Sequence, residues 1–256
     1  MSASDRAGPG TPCWVSLLTG DLAGAQRFYG KVLGWTFRAG SLGEDFLVGL
    51  REGRPVAGIG NVARSMGVPV SWTAYFAVDD ADAVAARIRE RGGTVAVGPL
   101  AFGSGRAVLA ADPDGAVFGF WEGRVLPGWT IGSGAAPAWL ELRTRNGFDA
   151  AQFYGAIFGW DSQDTDLAYE DDAVMVRVHG HTVACLRGGG VEAAPDPRIR
   201  PRWHVYFCVD DVDQAVRAAL EAGGGVAEEI GPTTEHEATL RDPEGGLFTV
   251  TTDQTR

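Results

Sequence analysis

The chain contains itself twice, and a duplicated sequence restricts the fold to two copies of one architecture. Trp14 to Trp35 reads WVSLLTGDLAGAQRFYGKVLGW, and Trp139 to Trp160 reads WLELRTRNGFDAAQFYGAIFGW. The Trp, Phe-Tyr-Gly and Gly-Trp signatures recur at a constant offset of 125 residues (139 − 14, 153 − 28, 160 − 35). A second block, WTAYFAVDD from Trp72, returns as WHVYFCVDD at Trp203, an offset of 131 (203 − 72). A third pairs ADPDGAVFGF from Ala111 with RDPEGGLFTV from Arg241, an offset of 130 (241 − 111). The second copy therefore has a longer middle connection, expected in the Gly- and Pro-rich stretch around Gly188 to Pro201. Two homologous domains follow, 11–122 and 138–253, joined by a linker at 123–137.

Each copy reads as β-α-β-β-β followed by β-α-β-β-β. Trp14 to Leu18 has strand character. Asp21 is placed to cap a helix through Leu33, which Gly34 stops. Phe46 to Leu50 and Pro55 to Gly60 predict a hairpin turning at Arg51 to Arg54. Trp72 to Val78 is a strand, and Asp79 or Asp80 caps a helix from Ala81 to Arg91. Val95 to Val97, Arg106 to Ala110 and Ala116 to Trp121 complete the copy as strands. The DPDG and DPEG runs read as tight turns.

Composition narrows the partners. The net charge is −11, from 22 basic and 33 acidic residues. A chain this acidic lacks the basic surface that nucleic acid or an anionic membrane requires. Three widely spaced cysteines (Cys13, Cys185 and Cys208) suit neither a disulfide framework nor a zinc pattern. No segment is long and apolar enough for a signal peptide or a membrane span. The expectation is a cytoplasmic protein that meets a small molecule.

In order, the motifs are a strand, D-x-x-x-A-x-x-F-Y-x-x-x-x-G-W, Y-F-x-V-D-D with a helix and Gly-Gly, and D-P-x-G before a last strand. Found twice, this series resembles the vicinal oxygen chelate superfamily, which includes glyoxalase I, bleomycin resistance proteins and extradiol dioxygenases. The resemblance spans about Thr11 to Thr252. It implies an α+β fold of tandem duplicated glyoxalase-like domains, each of paired βαβββ modules forming a curved mixed sheet around a cavity. It further implies either a monomer that mimics a dimer internally or a homodimer. Metal-using members hold a divalent ion on the first strands of the modules and on the last strand.

Strand parity separates two faces. Val15, Leu17, Ala74, Phe76, Phe118 and Phe120 in copy one, with Leu140, Leu142, Val205, Phe207, Phe248 and Val250 in copy two, form an apolar core face. Trp35, Trp72, Trp160 and Trp203 also read as structural. The other face should line the cavity. Copy one presents Trp14, Ser16, Thr73, Tyr75, Gly119 and Trp121 there, a mainly apolar lining suited to an aromatic ligand. Copy two presents Trp139, Glu141, Arg143, His204, Tyr206 and Thr249.

The family's metal positions correspond to Trp14, Thr73 and Gly119, and to Trp139, His204 and Thr249. One imidazole is too few for a catalytic metal, which keeps about three protein ligands, so no cofactor is expected. A divalent ion held by His204 and Glu141 is the alternative. His179 and His181 flank a turn, and His236 lies in a polar connection. A Glu141–His204 pair could do acid–base work, with Arg143 holding a substrate oxygen. Equally, Glu141 with Arg143 and His204 with Tyr206 could be satisfied structural pairs.

Two functions remain open. One is a metal-independent protein binding an aromatic or apolar metabolite or antibiotic, through Trp14, Ser16, Thr73, Tyr75, Trp121, Trp139, Arg143, Tyr206 and Thr249. The other is a glyoxalase- or dioxygenase-type enzyme (lyase, isomerase or oxygenase) using His204 and Glu141.

Overall fold

The computed structural model describes residues 8–40, 43–103, 105–160, 165–170, 173–189, 200–228 and 233–253. Most of the predicted middle loop, 190–199, lies outside the described residues. Four β-α-β-β-β modules follow one another along the chain. The first holds β1 (Pro12–Leu18), α1 (Leu22–Leu33), β2 (Thr36–Gly40), β3 (Gly43–Arg51) and β4 (Arg54–Gly60), with a single helical turn, α2 (Ala63–Met66), after it. The second holds β5 (Ser71–Val78), α3 (Ala81–Glu90), β6 (Thr94–Phe102), β7 (Gly105–Ala111) and β8 (Val117–Gly123). The third holds β9 (Trp139–Arg143), α4 (Gly147–Phe158), β10 (Thr165–Glu170), β11 (Ala173–Val178) and β12 (His181–Arg187). The fourth holds β13 (Arg202–Cys208), α5 (Val212–Glu221), β14 (Gly225–Val226), β15 (Glu237–Arg241) and β16 (Leu247–Thr251).

The strands form two eight-stranded mixed sheets. One contains the runs β2-β3-β4-β1 and β5-β8-β7-β6, the other β10-β11-β12-β9 and β13-β16-β15-β14. Within each module the first strand returns parallel to the last, and the remaining pairs are antiparallel. The parallel registers set Ser16 opposite Gly58, Tyr75 opposite Gly119, Glu141 opposite Cys185 and Tyr206 opposite Thr249.

The helices begin where side chains can satisfy their free amides. Asp21, Asp80, Asn146 and Asp211 each accept from a first-turn backbone N–H, and such a cap is worth about 1 kcal/mol. Gly34 ends α1 with φ 67°. Two elements carry little sequence signal: β2, whose residues are mostly exposed and do not alternate, and the four-residue α2.

The chain packs into two compact units that cut across the repeats. The middle unit comprises Met1–Cys13, Ala74–Gly128 and Leu140–Trp203, and so carries modules two and three. The outer unit comprises Trp14–Thr73, Trp129–Trp139 and His204–Arg256, and carries modules one and four. In the outer unit α1 packs on α5, and in the middle unit α3 packs on α4. All twelve residues of the expected core face are buried.

Each unit has the same aromatic centre. In the outer unit Tyr29 donates to Asp242 Oδ2 at 2.8 Å and accepts from Trp72 Nε1 at 3.0 Å. In the middle unit Tyr154 donates to Asp112 Oδ2 at 3.0 Å and accepts from Trp203 Nε1 at 3.0 Å. Trp35 and Trp160 stack on these tyrosines. A phenol and an indole N–H can be buried at low cost only when paired, and the carboxylate does that here. Both aspartates open a D-P-x-G turn. They also accept two amides of that turn, from Asp114 and Ala116 or from Glu244 and Gly246. The motif is thus more than a turn: it supplies the core acceptor for the Phe-Tyr motif.

The segment between the repeats is packed. Trp129, Ile131 and Ala136 are buried, and Trp129 Nε1 donates to the Val56 carbonyl at 2.8 Å.

Candidate functional site

The expected cavity-face residues divide between the two units. Trp14, Ser16, Thr73, Trp139, His204, Tyr206 and Thr249 belong to the outer unit, and Tyr75, Trp121, Glu141 and Arg143 to the middle unit.

In the outer unit the imidazole and the hydroxyl row beside it come from module four. His204 on β13 is fully buried, with Nε2 2.7 Å from Thr249 Oγ1 on β16. Thr249 Oγ1 is in turn 2.9 Å from Thr239 Oγ1 on β15. The hydroxyls can each donate and accept, so this row holds the imidazole plane in place and fixes which nitrogen faces it. Tyr206 meets the His204 ring edge-on at 5.4 Å. Module one, which belongs to the other sheet, carries Trp14, half-buried, and Ser16, buried opposite Gly58. A methyl at Gly58 would run into the Phe46 ring and lie 2.7 Å from Ser16 Oγ. The missing side chain is what lets Phe46 cross the strand there. Thr73 Oγ1 and Trp139 Nε1 are buried with no hydrogen-bond partner among the described residues.

The middle unit has different chemistry. Glu141 on β9 is 2% exposed. Its Oε1 accepts from Arg143 Nε at 2.6 Å, and its Oε2 lies 3.8 Å from Arg187 Nε. The ion pair of Glu141 with Arg143, one of the pairings the sequence allowed, is present. Module two supplies Tyr75 and Trp121, both partly exposed. A methyl at Gly119 would run into the Tyr75 ring, so glycine permits that ring to lie across β8. Trp121 similarly covers Gly105 and donates to the Arg124 carbonyl at 3.0 Å. Desolvation, and then the nearby Cys13, hold the Tyr75 phenol above its usual range. Burial pushes the Cys13 thiol up to about 12, so it is neutral at physiological pH and a poor nucleophile.

The donors do not suit a metal. Of the outer unit's matching positions (Trp14, Thr73, Trp139, His204 and Thr249), only His204 offers a strong ligand atom. Among the described residues no group of three His, Cys, Asp or Glu side chains is placed to hold an ion. His236 is exposed beside Glu235, and His179 sits in a turn with φ 49°.

Phe46, Trp129, Thr239 and Arg187 were not picked out by the motifs. Alternation along β15 would have placed Thr239 with Glu237 and Arg241. Nothing in one sequence marks Trp129, which belongs to no repeated block.

Residues 13–120 match the glyoxalase/bleomycin resistance protein/dioxygenase superfamily, and residues 139–251 match the glyoxalase-like domain. The chain belongs to this superfamily and carries two of its domains in tandem. Anthracycline biosynthesis protein DnrV of Streptomyces peucetius is 35% identical over 265 residues, spanning 96% of this chain and 94% of that protein. Two solved structures share the fold. The Mn(II)-bound glyoxalase from Novosphingobium aromaticivorans has TM-score 0.57 and 18% identity, covering 96% of this chain and 83% of that one. An extradiol ring-cleaving dioxygenase from B. fuscum has TM-score 0.57 and 17% identity, covering 98% and 74%. No helix among the described residues is long and apolar enough to cross a membrane.

Proposed function

We propose that the protein binds an aromatic small molecule in the outer unit, without a metal, on the sheet whose strands β1 and β5 carry Trp14 and Thr73. The observation that carries this reading is Thr73 Oγ1, a buried polar atom with no hydrogen-bond partner among the described residues. Buried polar groups nearly always find partners, and leaving one without costs about 1–3 kcal/mol. A ligand bearing an oxygen atom would supply that partner. Trp14 keeps part of its indole open, as a stacking surface needs. The name of the DnrV relative points the same way, because anthracyclines are fused-ring aromatics carrying hydroxyl and carbonyl oxygens.

Titration with 1,8-dihydroxyanthraquinone, read by tryptophan fluorescence and calorimetry, tests the reading. Saturable binding that weakens in Trp14→Ala and Thr73→Val is expected. Absence of a saturable response across a panel of hydroxylated anthraquinones and naphthoquinones would sink it.

A second reading, lyase or isomerase chemistry, draws on the 2.7 Å contact between His204 Nε2 and Thr249. A fixed imidazole in a dry site is a candidate general base. On this reading His204→Ala abolishes turnover of a candidate substrate while binding survives. Glu141→Gln tests separately whether the middle unit takes part.

A further inference from the structure

We infer that the segment joining the repeats is a specificity element of the outer unit, in which Trp129 positions the Trp14 ring for its ligand. The inference rests on the binding reading above and adds a residue that no repeated motif contains. Trp129 is held at both its polar and its apolar end. Its Nε1 donates to the Val56 carbonyl on β4 at 2.8 Å. Its ring meets Trp14 with centroids 5.5 Å apart and planes tilted by 47°. Trp129 is 8% exposed, whereas Trp14 keeps partial access to solvent. Of the two, Trp14 is therefore free to touch a ligand, and Trp129 backs it.

The rest of the segment makes that backing rigid. Gly132 N–H donates to the Pro137 carbonyl at 2.9 Å, closing a short loop, and Ile131, just before that loop, is buried. Ala138 N–H donates to the Tyr206 carbonyl at 2.8 Å, which ties the segment's end to β13, the strand that carries His204. The segment thus connects the strand beside the indole wall to the strand bearing the imidazole. Indole rotation about χ1 and χ2 is restricted by a neighbouring ring in contact, so the tilt of Trp14 follows from Trp129. A planar ligand that must stack on Trp14 would feel that tilt more as its ring system grows.

The test compares the full-length wild type with Trp129→Phe and Trp129→Leu. Affinity is measured for a three-ring probe, 1,8-dihydroxyanthraquinone, and a one-ring probe, catechol. Losing one aromatic pair should weaken the three-ring probe about five- to tenfold in Trp129→Leu, with a smaller change for catechol and an intermediate result for Trp129→Phe. Circular dichroism gives a ligand-free readout: two indoles this close should produce an exciton couplet, lost in both Trp14→Phe and Trp129→Phe. Equal weakening of both probes, or a couplet that survives Trp129→Phe, overturns the positioning role and leaves the binding reading standing. A wild type that keeps the couplet but binds neither probe overturns the binding reading, and the specificity role with it.

Discussion

In the middle unit Tyr75 faces Gly119 across a parallel strand pair, and in the outer unit the corresponding Tyr206 faces Thr249. The consequence is large. Glycine lets the Tyr75 ring lie over the strand, where a methyl group would collide with it. Thr249 instead raises a hydroxyl that engages His204. The other half of each unit shows the reverse contrast. Phe46 lies over Gly58 in the outer unit, while the matching strands of the middle unit carry Glu141 with Arg143 and Arg187. In both units the aromatic cover over a glycine comes from the first repeat, and the polar groups come from the second. Duplication supplied equivalent walls, and substitutions at a few facing positions gave them opposite character around near-identical cores.

Equivalence of the cores is the part open to the largest effect. Asp112→Ala and Asp242→Ala should each cost about 3 kcal/mol, since each leaves a buried tyrosine hydroxyl without its acceptor and strips a turn of two amide contacts. Urea unfolding measures it, and a markedly smaller loss in one unit would break the comparison. Next, Gly119→Thr should destabilise by about 2 kcal/mol through overpacking against Tyr75. Gly119→Ser at the same site should cost less, and a neutral Gly119→Thr would mean that the ring has room to swing aside. Third, Trp14→Ala should weaken an aromatic ligand about tenfold, near 1.4 kcal/mol. Trp121→Ala, in the other unit, should leave that affinity unchanged.

The smallest effect concerns pH. Desolvation raises both Asp112 and Asp242 above the ordinary carboxylate value, against the opposing pull of their hydrogen bonds. The folded chain then binds these protons more tightly than the unfolded chain does. Their contribution to stability therefore increases as pH falls through the raised values toward about 3.9, and it is lost as pH rises through them. Asp112→Asn and Asp242→Asn should each remove a similar share of this slope. Melting temperatures recorded from pH 7 down to pH 4 would show it, and unequal shares would set the two cores apart.

Much of this was legible in the residues. Alternation along Trp14 to Leu18 and Trp203 to Cys208 identified the core face, because strand side chains project to opposite sides. Asp21, Asp80 and Gly34 marked helix ends, because capping is a local interaction. The short edge strand β2 escaped because its residues do not alternate. The packing of 129–139 escaped because nothing repeats there.

The copying of one module pattern, the two faces of each strand and the family all follow from the order of the amino acids, since each rests on local periodicity or on motifs within one repeat. The grouping of module one with module four, and of module two with module three, does not. Nor do the acceptors of Tyr29 and Tyr154, or the ring that backs Trp14. These join residues about 40 to more than 200 positions apart, and burial decides such pairings: a phenol or an indole removed from water must find whichever partner the packed chain brings to it.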